Sequence, residues 1–125
     1  MLGDITPMDR YGAGTWESVM QTNVNSAFYL TQAMLPLLRA SDDARLLFTS
    51  SSVGRKGRAF WGAYAVSKAA TENLAQVLAE ELENTSNIRV NTLNPGGTRT
   101  DMRALAYPGE DPQTLKTPAD IMAPY

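Results

Sequence analysis

Two short apolar runs separated by one long amphipathic stretch constrain the fold of this chain more than any other feature of it. Residues 45–50 (RLLFTS) and 88–93 (IRVNTL) are each bounded by turn-forming residues. Both suit short buried strands. Between them Ala70, Leu74, Val77, Leu78 and Leu82 recur at helical spacing and predict a helix over 63–83. A helix joining two such strands makes a right-handed parallel crossover the expected connection. The architecture is α/β.

The flanking segments extend the pattern. Val19, Met20, Val24, Ala27, Phe28, Leu30, Met34, Leu35 and Leu38 predict one long helix from Trp16 to about residue 39. Thr15 is its expected N-cap, and Pro36 is expected to kink or shift its last turn. Residues 1–13 and 51–62 read as turns and loop. Asn94-Pro95-Gly96-Gly97 ends the second strand sharply. A short helix is expected at 101–106, and Thr117-Pro118-Ala119-Asp120 carries a helix-start signal. Two parallel strands alone leave two open edges. The chain therefore reads as a helix-strand-helix-strand excerpt of a larger doubly wound sheet.

Composition removes whole classes of chemistry. With 125 residues, 43% of them apolar and 19% charged, the chain has a globular composition. Its net charge of -2 and scattered Lys and Arg residues give no footprint for nucleic acid. It has no histidine and no cysteine. That excludes a Ser-His-Asp triad, a thiol nucleophile and a disulfide framework, and no metal site is expected. The lack of cysteine fits a reducing compartment, so a cytoplasmic location is expected. No apolar run of about 18 residues predicts a membrane span, and no leader is recognised at the N-terminus. Acid-base chemistry falls to Tyr, Lys, Asp or Glu.

Tyr64-Ala65-Val66-Ser67-Lys68 is the sharpest candidate. Residues four apart share a helix face, so Tyr64 and Lys68 would stack at the start of the second helix. A neighbouring ammonium and the positive helix end would both lower the phenol pKa. By itself the pair also fits an ordinary surface contact. Ser51 follows the first strand, at the strand end where α/β sites form; it equally fits turn chemistry. Gly96 and Gly97 would let a ligand approach the backbone, with Thr98 N–H and the Thr100 hydroxyl placed to hold a carboxamide. A plain strand-ending turn fits there too.

Taken together, Asn23, Ser51, Tyr64-x-x-x-Lys68 and Pro95-Gly96-x-x-x-Thr100 stand in an order and spacing that closely resemble the short-chain dehydrogenases/reductases. The resemblance covers essentially the whole chain. The stretches FTSSSVGRKGRAFWGAYAVSKAATE and RVNTLNPGGTRTDMRA look most like the YciK-like subgroup of bacterial oxidoreductases. The resemblance implies a partial Rossmann-like domain over 1–125 and hydride transfer between NAD(P) and a small carbonyl or alcohol substrate, with NADP the expected form. It implies Tyr64 as general acid/base, Lys68 lowering its pKa and binding the nicotinamide ribose, and Ser51 polarising the substrate carbonyl. Asn23 would position a water linking Lys68 to solvent. Pro95, Gly96, Gly97, Thr98 and Thr100 would line the nicotinamide.

The glycine-rich turn that holds the dinucleotide phosphates in this family does not occur in the chain. The isolated chain is therefore expected to be unstable or self-associating, with pairing of copies through the two long helices. The other reading is a non-catalytic remnant or interaction module. Glu80, Glu81 and Glu83 read as a solvated helix end rather than a metal site. Phe60 and Trp61 read as loop aromatics that line a substrate pocket or pack on a neighbouring subunit, with packing favoured, and Arg55, Lys56 and Arg58 as a solvated loop rather than a phosphate site.

Overall fold

The structure is a computed structural model that describes all of residues 1–125. A continuous helical rod opens it: α1 (Ala13–Met20), one π-helical turn (Gln21–Asn25) and α2 (Ser26–Arg39). Strand β1 (Arg45–Thr49), a single turn α3 (Ser52–Arg55), the long helix α4 (Gly62–Leu82), strand β2 (Arg89–Leu93) and short helix α5 (Asp101–Ala106) follow. The strands pair in parallel with Arg45 opposite Arg89 and Thr49 opposite Leu93. Ser50 N extends the ladder by donating to Leu93 O at 2.7 Å. The parallel α/β crossover expected from the sequence is thus present.

The details depart from the pattern in instructive ways. Helix α1 is capped by Gly12, not Thr15, and starts three residues early. Helix α2 runs through Pro36 to Arg39. Segment 51–62 is not all loop. Its first turn is helical because Ser51 caps it and Gly54 lets it press onto α4, where an added Cβ would meet the Lys68 carbonyl carbon at 2.8 Å. A four-residue helix has no period to read. Thr117 and Asp120 do exchange hydrogen bonds as a helix start: Thr117 N and Oγ1 donate to Asp120 Oδ2 at 2.8 and 2.7 Å. Only one 3-10 turn (Ala119–Ile121) follows.

The main core lies between β1, β2 and the C-terminal half of α4. Ala44, Phe48, Ala75, Leu78, Leu82 and Ile88 form it, with Leu35 and Leu38 of α2 packed alongside. A second cluster of Leu2, Val53, Tyr64 and Ala65 sits beneath the carboxyl ends of the strands. Only 16 of 125 residues are buried. Several expected core residues are therefore exposed: Phe28, Leu30 and Met34 of α2 and Val77 of α4, with Leu30 66% accessible. Leu47 of β1 is exposed too, so the strands are covered on one face rather than buried on both. No helix is long and apolar enough to cross a membrane.

Candidate active site

Everything with chemical potential gathers at the carboxyl end of the sheet. Tyr64 enters there because it stands in the first turn of α4, and Ser51 because it caps α3 directly after β1. Lys68 lies one turn after Tyr64, its ammonium 5.7 Å from the centre of the Tyr64 ring. The stacked pair expected from i, i+4 spacing is therefore formed. Lys68 Nζ donates to Thr49 O at 2.8 Å, which anchors it to the end of β1. Two of its three protons are left for a ligand.

The electrostatics differ from the sequence expectation. Burial pushes the Tyr64 phenol above the ordinary tyrosine range, and the neighbouring Ser51 hydroxyl pulls it only part of the way back. The Lys68 ammonium is turned to Thr49 O and stands 5.7 Å from the centre of the Tyr64 ring. Burial also lowers the Lys68 pKa. Desolvation thus outweighs the i, i+4 charge effect at this site.

Two adjoining depressions share Ser51, Tyr64, Met102 and Arg103. The first is walled by Pro95, Thr98 and Thr100 of the turn after β2, together with Thr49 and Ser50. Gly96 there has φ +77, a left-handed conformation that favours glycine, and open space where a Cβ would project. Gly96 N donates to Asn94 Oδ1 at 3.1 Å, which closes the turn. Thr98 bridges Lys116, bracing the turn against the tail. The Thr100 hydroxyl accepts from Arg103 N at 3.1 Å and caps α5, so its lone pairs are partly used by the fold. Gly97 backs onto Leu115 and Arg103 and has no such open space. The second depression is lined by Ser52, Val53, Trp61, Ala106 and Tyr107. Trp61 therefore lines the depression, the alternative left open beside packing on a neighbour.

Asn23 stands apart from this group. It occupies the π-turn, where an extra residue per turn rotates it toward α4. Its Nδ2 donates to Ser67 Oγ at 2.9 Å and to Met1 O at 2.8 Å. Ser67 Oγ in turn donates to Tyr64 O at 2.8 Å. Asn23 thus reaches the Tyr64 turn through Ser67, a fully buried serine that the apolar ladder passes over.

Three other residues escaped the sequence reading. Tyr107 joins the site through stacking on Trp61, with ring centres 5.6 Å apart. Thr49 contributes only a carbonyl, which no side-chain pattern signals. Glu72, one turn after Lys68, takes Arg55 Nε at 3.2 Å and Thr92 Oγ1 at 3.1 Å. The Ser50 hydroxyl beside it, then Arg55 and Thr92, hold its carboxyl below the ordinary range against the opposing effect of burial. An acidic residue at i+8 from Tyr64 was a readable signal for such a tie. Arg55 is therefore a structural partner rather than a free loop charge. A broader groove lined by Asp42, Asp43, Glu80, Glu83 and Arg89 lies at the opposite end of the strands and gathers no comparable set.

The donor set fits the nicotinamide-ribose end of a dinucleotide. Lys68 keeps free donors, and the Gly96 turn offers approachable backbone over a depression that ends on Tyr64. No glycine-rich phosphate cradle is present in the chain.

Comparison with known proteins agrees with this geometry. Residues 3–111 match the family described as short chain dehydrogenase. The chain is 62% identical over all its 125 residues to the uncharacterized oxidoreductase YciK of Escherichia coli K12, covering 49% of that protein. A short chain dehydrogenase of Salmonella enterica serovar Typhi superposes with TM-score 0.97 at 63% identity, over the whole chain and 51% of its own length. One from Shigella flexneri, solved in complex with NADP, superposes with TM-score 0.95 at 62% identity, over the whole chain and 52% of its own. The chain spans about half the length of these relatives. It belongs to the short-chain dehydrogenase family and has the α/β architecture of part of a Rossmann-type fold.

Proposed function

We propose that this chain is the catalytic portion of an NADP(H)-dependent oxidoreductase that interconverts a carbonyl compound and its alcohol. The observation that carries the reading is the seam at Ser51 and Tyr64, where a depression walled by Pro95, Thr98 and Thr100 meets an aromatic one. The bound dinucleotide supplies the hydride. In the reductive direction the carbonyl carbon gains that hydride, its oxygen gains the Tyr64 proton, and the dinucleotide is oxidised. Ser51 Oγ orients the carbonyl oxygen toward the phenol. Burial keeps Tyr64 protonated across the neutral range, which suits a proton donor. Lys68 holds the ribose hydroxyls with its free protons, and the backbone around Pro95, Gly96, Gly97 and Thr98, with Thr100, holds the carboxamide. Asn23 fixes the Tyr64 turn through Ser67. NADP rather than NAD is proposed because the similar Shigella protein was solved with it.

Residues 1–125 act as a partial domain, completed by sequence that supplies the phosphate cradle. The exposed apolar stripe of α2 (Leu30, Met34, Leu37) favours pairing of copies through the long helices, and it is also what a non-catalytic interaction module would present. Turnover decides between these readings. The full-length gene product that carries this sequence is assayed with NADPH against a panel of aldehydes and ketones. Tyr64→Phe should lower kcat about 10²- to 10⁴-fold with NADPH binding retained, and Lys68→Met should weaken NADPH binding. Undiminished turnover in Tyr64→Phe would remove the phenol from the mechanism. No turnover with any carbonyl would favour the module.

A further inference from the structure

Beside the aromatic depression at Ser51 and Tyr64, against its wall residues Trp61 and Tyr107, stands the exposed guanidinium of Arg58, which no carboxylate of the chain pairs with. From the Tyr64 ring, Trp61 is one step of 5.9 Å, and Arg58 Cζ a further 5.7 Å from Trp61. Arg58 Cζ also lies 5.4 Å from the Tyr107 ring, and its Nη1 donates to the Tyr107 hydroxyl. The side chain is exposed but leans on these two aromatic rings. Arg103, on the other face of Tyr107, is fully engaged with Glu110 at 2.6 and 2.7 Å. The three ion pairs of the chain join Arg45 to Asp43, Arg55 to Glu72 and Arg103 to Glu110. Arg58 has none, and its remaining N–H groups are open.

The backbone keeps this arrangement at a cost. Phe60 has φ 72, a left-handed conformation unfavourable for a bulky residue. It lies inside the turn closed by Trp61 N donating to Arg58 O at 3.2 Å. Thr6 N holds the Phe60 carbonyl at 3.2 Å. The turn sets Trp61 into the depression and keeps Arg58 beside Trp61 and Tyr107. Strain of this kind persists where surrounding contacts over-determine it and where a site uses the result.

We infer that the substrate of this site is a flat, unsaturated carbonyl compound bearing a carboxylate at the end remote from the carbonyl. Its body lies along Trp61 and Tyr107, and its carboxylate meets the open N–H groups of Arg58. The planar fork of Arg58 matches a carboxylate. The inference rests on the oxidoreductase reading above and adds the substrate class to it.

The test uses 6-formyl-2-naphthoic acid and its methyl ester as paired aldehydes, with NADPH and the full-length gene product. Wild type should reduce the acid with a kcat/KM about tenfold above the ester. R58L should lower that ratio about tenfold, and R58K should restore part of it. Competitive inhibition by 2-naphthoate should weaken in R58L by a similar factor, with the thermal midpoint of the variant unchanged. If both aldehydes are reduced with equal kcat/KM, or if R58L leaves the ratio intact, this inference fails while the oxidoreductase reading stands. If neither aldehyde nor any other carbonyl is reduced, the oxidoreductase reading fails and this inference with it.

Discussion

Gly54→Ala isolates the contact that seats the active-site turn on α4. The Gly54 backbone is right-handed and helical, so an alanine there gains about 0.5–1 kcal/mol of helical preference. Opposing this, the new Cβ would stand 2.8 Å from the carbonyl carbon, 2.9 Å from the oxygen and 2.9 Å from the Cβ of Lys68. Two of those three atoms are backbone inside a 21-residue helix and cannot turn aside. Ordinary contact begins near 3.4 Å, so α3 must lift by several tenths of an ångström. Overpacking of this kind costs about 1–3 kcal/mol. The net expectation is a loss of about 1–2 kcal/mol. The displacement also carries Ser51, whose carbonyl accepts from Gly54 N at 2.9 Å, away from Tyr64. Turnover should fall by about an order of magnitude beyond any loss of folded protein. Gly57→Ala is the matched control, because nothing lies within 4 Å of its Cβ direction and its backbone is not left-handed. It should be neutral or stabilising by up to about 1 kcal/mol. The assay is equilibrium urea unfolding of the full-length gene product, paired with kcat/KM. A Gly54→Ala protein as stable as Gly57→Ala would refute the packing argument.

Two further outcomes follow from the electrostatics. In dinucleotide-free protein the Tyr64 phenol should titrate above the ordinary tyrosine range because of its burial, and it should stay above that range in Lys68→Met. Difference absorbance against Tyr64→Phe measures this, and a phenol that titrates below the ordinary range in wild type and rises in Lys68→Met would restore the charge-driven account. Glu72→Gln should cost about 1 kcal/mol and Glu72→Leu about 1–3 kcal/mol, because the latter leaves the Thr92 hydroxyl unpartnered. The Glu72 carboxyl is held low in the fold, so its contribution is present above the unfolded carboxylate range near about 4.3 and is lost as pH falls through the folded value. The stability gap between wild type and Glu72→Gln should therefore close on acidification, as read by urea midpoints; a gap independent of pH would contradict this.

The sequence by itself determined the element order, the parallel strand pair and the family. Those follow from short-range periodicities and from a few residues at fixed separations, such as Tyr64 with Lys68 and Pro95 with Gly96. Ser51, Tyr64, Pro95, Thr98 and Thr100 indeed border a common depression. Sequence could not decide which apolar residues would be covered. Phe28, Leu30 and Met34 read as core, yet they stand exposed on α2. Nor could it give the direction of the Tyr64 pKa shift. Spacing places an ammonium one turn away, whereas the shift is governed by how much water the second cluster excludes and by where Lys68 Nζ points. The one-turn helix α3, the Thr49 carbonyl that anchors Lys68, the Asn23–Ser67 tie and the stack of Arg58, Trp61 and Tyr107 were equally hidden. Each joins residues far apart in the chain through backbone groups or side-chain packing, and only the tertiary fold brings such partners within reach.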